Sequence, residues 1–182
     1  MKYQEQKITL SDKTSCILRS PQEEDAEQMM SYFKKVSGES YFMINYPEEI
    51  KFTIEQEIEL LKKNIESSTD MMLAALIGEE IIGNVSIYAC SDRMKMRHRA
   101  CLGIAIREAY QSKGLGSILM KEAILTAKKV GYEQIELGVF SDNEKAIHLY
   151  EKFDFEEWGR TKNAFRLKDG TYRDEILMGL FL

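Results

Sequence analysis

No stretch of this 182-residue sequence approaches the ~18 consecutive apolar residues that a membrane-spanning helix needs. The first residues, MKYQEQKITLSDKT, lack the apolar core of an export signal, so a cytoplasmic location with no membrane partner is expected. Cysteine is scarce. Cys16, Cys90 and Cys101 form neither a CxxC pair nor a zinc-type spacing, and buried reduced thiols are expected. Histidine is scarcer still: His98 and His148 stand outside any ligand motif, so no metal site is expected. Internal repeats and low-complexity linkers are missing too.

What is present suffices for a packed core, with 44% hydrophobic and 10% aromatic residues, and the length fits a single domain over residues 1–182. The net charge of −5 is unevenly spread. Residues 1–70 hold 14 Asp/Glu against 9 Lys/Arg, whereas residues 71–182 hold 16 of each. So acidic a chain is a poor partner for nucleic acid. Taken alone, the excess reads as solvated helix faces.

The pattern along the chain predicts alternating strands and helices. A first strand is expected over Ile8–Leu18. Ser20-Pro21-Gln22-Glu23 has the make-up of a helix start running to about Lys35, and Thr53-x-x-Gln56 repeats the capping signature before Ile54, Ile58, Leu61 and Ile65 at helical spacing. Between them lies an aromatic loop, Tyr41–Pro47. MMLAALI and IIGNVSIYA flank a turn at Gly78 and read as a hairpin. Arg93–Arg99 alternates Arg/Lys with Met94, Met96 and His98, which predicts a strand with one basic face; His98 would pack beside the methionines and His148 lie exposed. ACLGIAI, a helix ended by Gly131, the strand EQIELGVF, a helix over SDNEKAIHLYEKF, and two strands near Ala164–Leu167 and Glu175–Leu180 around Asp169-Gly170 complete the order. The fold class is therefore α/β (α+β), with about seven strands and four helices.

The sharpest local feature is the strand Leu102–Ile106 followed by Gln111-x-x-Gly114-x-Gly116-Ser117 and a helix. A strand feeding a glycine turn that opens a helix aims several free N–H groups at one spot, where the helix dipole favours an anion such as a pyrophosphate. Two nucleotide-binding patterns fail on residues. No Lys follows Gly116 as a Walker loop requires, and Leu119 stands where the dinucleotide fingerprint needs a third glycine.

Residues 100–155 resemble the acetyl-CoA-binding core of the GNAT N-acetyltransferase superfamily, whose central turn is Gln/Arg-x-x-Gly-x-Gly/Ala. A second family motif, roughly Asn-x-x-Ala-x-x-Leu-Tyr-x-Lys-x-Gly-Phe, is matched by Asn143, Ala146, Leu149, Tyr150, Lys152 and Phe155. Asp154 departs from the motif's glycine, and Asp tolerates a left-handed backbone better than most residues. The resemblance implies a mixed, mostly antiparallel sheet, acceptor-side helices over about 20–66 and an acetyl-CoA core over about 98–155. It implies that backbone around Ile104, Ala105 and Ile106 pairs with the pantetheine arm. N–H groups of Gln111, Ser112, Lys113, Gly114, Leu115, Gly116 and Ser117 would hold the pyrophosphate, with Lys113 or Lys152 near a phosphate. Asn143 would bond the arm near its thioester end, with Ala146 leaving room beside it.

By the same resemblance Tyr150 protonates the departing thiolate during acetyl transfer to a primary amine. A core aromatic is the competing reading, because Ala146, Tyr150 and Phe153 share one helix face. Glu136 is weighed as a proton acceptor, and no general base is assigned. An acidic acceptor wall from the first 70 residues would favour polyamines or other cationic amines, and the closing segment AFRLKDGTYRDEILM looks similar to polyamine and protein N-terminal acetyltransferases. A homodimer is compatible with all of this. The rival readings are a catalytically silent acetyl-CoA-binding regulator and an interaction domain whose glycine turn is merely structural.

Overall fold

The computed structural model describes all 182 residues. Eight strands form one sheet in the order β1-β2-β3-β4-β5-β6-β8-β7. These are β1 (Gln6–Thr9), β2 (Ser15–Arg19), β3 (Met71–Ile77), β4 (Glu80–Ala89), β5 (Arg99–Ile106), β6 (Gln134–Phe140), β7 (Glu156–Arg166) and β8 (Tyr172–Phe181). The helices are α1 (Ala26–Glu39), α2 (Ile54–Glu66), α3 (Leu115–Val130) and α4 (Glu144–Glu151). Every neighbouring pair of strands is antiparallel except β5 and β6.

Period-two alternation divides the strand side chains between two cores. Leu73, Val85, Ile87, Leu102, Ile135, Leu137, Ile176 and Met178 meet Leu119, Met120 and Ala123 of α3 on one face. On the other, Met72, Ala74, Ile81 and Ala105 meet Met29, Tyr32 and Val36 of α1 and Leu61 of α2. Burying a side chain such as Leu119 or Leu61, both fully inaccessible, stabilises by about 1.5–3 kcal/mol.

Several expectations are corrected by local chemistry. The first strand is two: Leu10 N–H donates to Thr14 O, and Asp12 accepts from Thr14 N–H, which folds Ser11–Thr14 into a turn. Ser20 does not cap α1. Its hydroxyl accepts from Tyr3 N–H, while Asp25 accepts from Gln22 N–H and pairs bidentately with Arg19, starting the helix at Ala26 through a short 3-10 turn. Thr53 and Gln56 do form the expected capping box of α2. Arg93–Arg99 is not a strand. The β4–β5 ladder closes where Cys90 N–H donates to Arg99 O, leaving 91–98 as a connecting loop with a 3-10 turn at Met94–Met96. Alternation permits a strand, but without a neighbour its backbone groups have nothing to bond. His98 is half-buried and His148 exposed.

The thiols differ from expectation as well. Cys90 and Cys101 are joined by a disulfide, their Cα atoms 5.2 Å apart across adjacent antiparallel strands, and Cys16 alone is a buried free thiol. The closing strands run longer than expected, over Glu156–Arg166 and Tyr172–Phe181. Asp154 takes φ 64°, the left-handed conformation expected of that position, and Phe155 N–H reaches back to Tyr150 O.

Candidate active site

β5 and β6 pair only over Arg99–Cys101 and Gln134–Glu136. Beyond that, β5 stays with β4 and β6 with β8, so the two strands part and leave a gap in the middle of the sheet. Ladder alternation identifies which groups border it. Cys90 N–H bonds Arg99 O at one end of the β4–β5 ladder and Arg107 N–H bonds Ile82 O at the other. Odd-numbered β5 residues therefore exchange bonds with β4, and Leu102, Ile104 and Ile106 turn theirs toward β6, where the strands part beyond Leu102. Ala105, expected to act with its two neighbours, is a correction: its backbone faces Asn84, and its carbonyl also accepts from the Tyr32 hydroxyl at 2.8 Å. Ile106 O accepts from the Gln111 side-chain amide at 3.1 Å. Ile104 is left with both backbone groups on an open edge.

The chain leaves β5 through a 3-10 turn at Glu108–Tyr110 into the glycine loop. Ser112 (φ 58°) and Gly114 (φ 86°) both adopt left-handed backbone there. The first α3 bond is Ile118 N–H to Gly114 O, and the Lys113 carbonyl is taken by Ser11 N–H. The N–H groups of Ser112, Lys113, Gly114, Leu115, Gly116 and Ser117 consequently donate to no carbonyl, and no side chain caps the helix. Six consecutive free N–H groups at a helix N-terminus suit a multiply charged phosphate anion. Gln111 is the exception among the expected donors, because its N–H bonds Glu108 O. Lys152 reaches this turn, donating to Ser117 Oγ at 3.1 Å, whereas Lys113 pairs with Asp12. Gly116 has a further reason to be glycine: a Cβ there would stand 3.0 Å from Leu149, where α3 and α4 touch.

Asn143 caps α4 by accepting from Ala146 N–H, which leaves its side-chain N–H₂ free to donate. Tyr150 is buried between Phe155 and the α3-side core, and Ala146 packs at its edge. Burial alone pushes the Tyr150 phenol up to about 12, since no protein group bonds its hydroxyl. The ring is thus a core aromatic, as one reading held, and its hydroxyl is also uncommitted, as the other requires.

The opposite face of the gap carries residues that sequence reasoning missed. Phe140 stacks on Phe165 at 3.9 Å and meets Tyr41 and Phe42 edge-on at 6.0 and 5.9 Å. Tyr41 donates to Asp142, which also pairs with Arg173, so the α1–α2 loop is tied to the end of β6 and to β8. Lys168 adds an N–H bond to the Tyr46 hydroxyl and an ion pair with Glu48. The aromatic run Tyr41–Pro47 hinted at this wall, but its partners lie about a hundred residues away in the chain. Glu136, weighed as a proton acceptor, is held by Arg99 in a bidentate pair that keeps its carboxyl below the usual range. That is the wrong direction for a base.

A gapped sheet with a run of free N–H groups at its mouth is an α/β architecture suited to an anionic ligand, and the comparisons identify the family. Residues 27–155 match the model of the Acetyltransferase (GNAT) family, and the chain belongs to it. It is similar to the L-amino acid N-acetyltransferase AaaT of Escherichia coli (34% identical over 107 residues, 58% of this chain and 65% of that protein), and so spans just under two thirds of that relative's length. A GNAT-family acetyltransferase from Streptococcus pneumoniae superposes with a TM-score of 0.87 at 31% identity, over 92% of this chain and 99% of that one. A phosphinothricin acetyltransferase from Sinorhizobium meliloti, solved in complex with AcCoA, shares the fold at 19% identity (TM-score 0.78, 96% of this chain and 89% of that one). No helix is long and apolar enough to cross a membrane, and no cluster of three or more His, Cys, Asp or Glu stands ready to hold a metal.

Proposed function

We propose that this protein transfers the acetyl group of acetyl-CoA to a primary amine by direct attack, with Tyr150 protonating the departing thiolate. The observation that carries the reading is the run of six unbonded N–H groups, Ser112–Ser117, beside the open edge at Ile104. The first supplies a site for a pyrophosphate, the second a strand-like partner for an amide-bearing arm, and both lie between the same strand and helix. Acetyl-CoA carries these two features together with the thioester. The free amide of Asn143 and the uncommitted Tyr150 hydroxyl then stand on the helix that follows β6.

The acceptor we infer is a small amine with an apolar or aromatic body. Its support is the wall of Tyr41, Phe42, Phe140 and Phe165, together with a relative named for L-amino acids. Polyamines fit less well, because acids of the first 70 residues near this side are already neutralised: Glu39 by Arg107 and Glu48 by Lys168.

The test is release of free CoA with L-methionine, L-phenylalanine and spermidine as acceptors, alongside acetyl-CoA-induced thermal stabilisation. Turnover of the two amino acids above spermidine is expected. Stabilisation without turnover of any amine would instead identify a silent acetyl-CoA-binding regulator. Tyr150→Phe retains the ring and should lower kcat by roughly 10²–10⁴ while leaving the acetyl-CoA-induced shift in place. Near-wild-type kcat, measured where chemistry limits the rate, would assign protonation of the thiolate to water.

A further inference from the structure

We propose that Glu175 receives the ammonium group of the acceptor and takes its proton, a role that rests on the acyl-transfer reading above. Glu175 lies on β8 opposite Phe140 of β6 and Thr161 of β7. Its carboxylate folds back over Gly138: a Cβ built on that glycine would fall onto Glu175 Oε1 and stand 3.1 Å from its Cδ. Gly138 is two residues past the last β5–β6 pair, so the carboxylate sits at the gap. Leu137, Val139 and Tyr150 pack together on the α3 side, and alternation puts Gly138, Phe140 and Glu175 on the other face. Proton acceptor and proton donor thus flank the parted strands from opposite faces.

Glu175 stands out because its acidic neighbours are engaged. Glu136 is held by Arg99, and Asp142 by Tyr41 and Arg173. Asp174, next in the chain, accepts from Asn163 N–H. Arg173, the cation that shares Glu175's face of β8, is spent on Asp142 and the Tyr172 carbonyl. The Glu175 carboxylate enters no ion pair and accepts no hydrogen bond from the protein. A half-buried carboxylate without a donor beside an aromatic wall is a place for a cation from outside. The glycines agree with this. A strand-interior glycine weakens a strand, yet Gly103 on β5 and Gly138 on β6 both stand on this face where the strands diverge. Any side chain at 138 would displace the carboxylate.

The acceptor arrives as R–NH₃⁺ and gives one proton to Glu175, which passes it to water. The freed nitrogen lone pair forms the C–N bond while the carbonyl π pair moves onto oxygen. That pair then re-forms C=O and expels the sulfur with the C–S bonding electrons. The thiolate takes the phenolic proton of Tyr150, and the proton lost from the new amide nitrogen restores the phenol. One proton is released per acetylation.

The experiment compares wild type, Glu175→Gln and Glu175→Asp, using L-methionine, L-phenylalanine and spermidine with acetyl-CoA from pH 6.5 to 10. For E175Q a loss of roughly 10²–10³ in kcat/KM for the amine is expected at pH 7. The deficit should shrink as pH nears the acceptor's own amine pKa of about 9–10, because the neutral amine then forms unaided. E175D should recover part of the loss, and acetyl-CoA-induced stabilisation should be equal in all three. A deficit in E175Q that is small, or uniform across pH, would overturn the role. Wild type that is stabilised by acetyl-CoA but acetylates none of these amines would overturn it as well. Wild type that acetyl-CoA fails to stabilise would instead overturn the underlying acyl-transfer reading.

Discussion

Ser117 lets the anion cradle be separated from helix stability. Its N–H is one of the six free donors, and it lies in the first turn of α3 beside Lys152. A carboxylate placed there complements the helix dipole by about 0.3–1 kcal/mol, yet repels an incoming pyrophosphate. Ser117→Glu should therefore hold or raise the melting temperature while weakening acetyl-CoA binding at least about tenfold; calorimetry alongside thermal melts would show the opposing signs. Equal affinity would move the phosphate site elsewhere. Gly116→Val is a blunter tool, since its side chain also meets Leu149, and a lost α3–α4 contact would mimic a lost cradle.

At the scale of elements, the turn after α4 carries a cost that can be removed. Asp154 holds φ 64° on an exposed turn, where Glu151 O accepts from its N–H and Tyr150 O from Phe155 N–H. A left-handed conformation costs most residues roughly 1–2 kcal/mol, less for Asp, and nothing for glycine. Asp154→Gly should thus stabilise by up to about 1 kcal/mol in urea titration without altering turnover, because the turn keeps its shape. Destabilisation would mean that the carboxylate has a role the backbone does not reveal. The same turn anchors Tyr150, whose ring packs against Phe155 just beyond the bend.

For the whole molecule, buried phenols set the alkaline limit. Desolvation pushes Tyr150 up to about 12 and raises Tyr32, Tyr132 and Tyr3 as well. The unfolded chain releases these protons near pH 10 while the folded chain keeps them. Between pH 10 and 12 the folded state binds more protons, and stability falls as pH rises. Below pH 10 the contribution is intact. For Tyr150 the two-unit window corresponds to roughly 3 kcal/mol. Thermal melts at pH 9, 10 and 11 should show a steep loss above 10, shallower in Tyr150→Phe; an unchanged slope would mean that the phenol is solvated in the folded state.

Features that depend on near neighbours in the chain are legible in the sequence alone. The Thr53–Gln56 box, the turn at Gly114 and the end of α3 at Gly131 are all chemistry within four residues, and each is legible as such. Motif spacing carried the resemblance to the family to which the chain belongs. Local pattern misled where pairing decides: Arg93–Arg99 alternates like a strand but has no neighbouring strand, and the 11-residue separation of Cys90 and Cys101 said nothing of their meeting across a ladder. Register also chose which β5 backbone groups face the gap, excluding Ala105 in favour of Ile104. The proposed acceptor side follows from tertiary contacts. Tyr41, Phe140, Phe165 and Glu175 come from distant parts of the chain, and only the divergence of β5 from β6 leaves the Glu175 carboxylate lying over Gly138 with no protein donor to satisfy it.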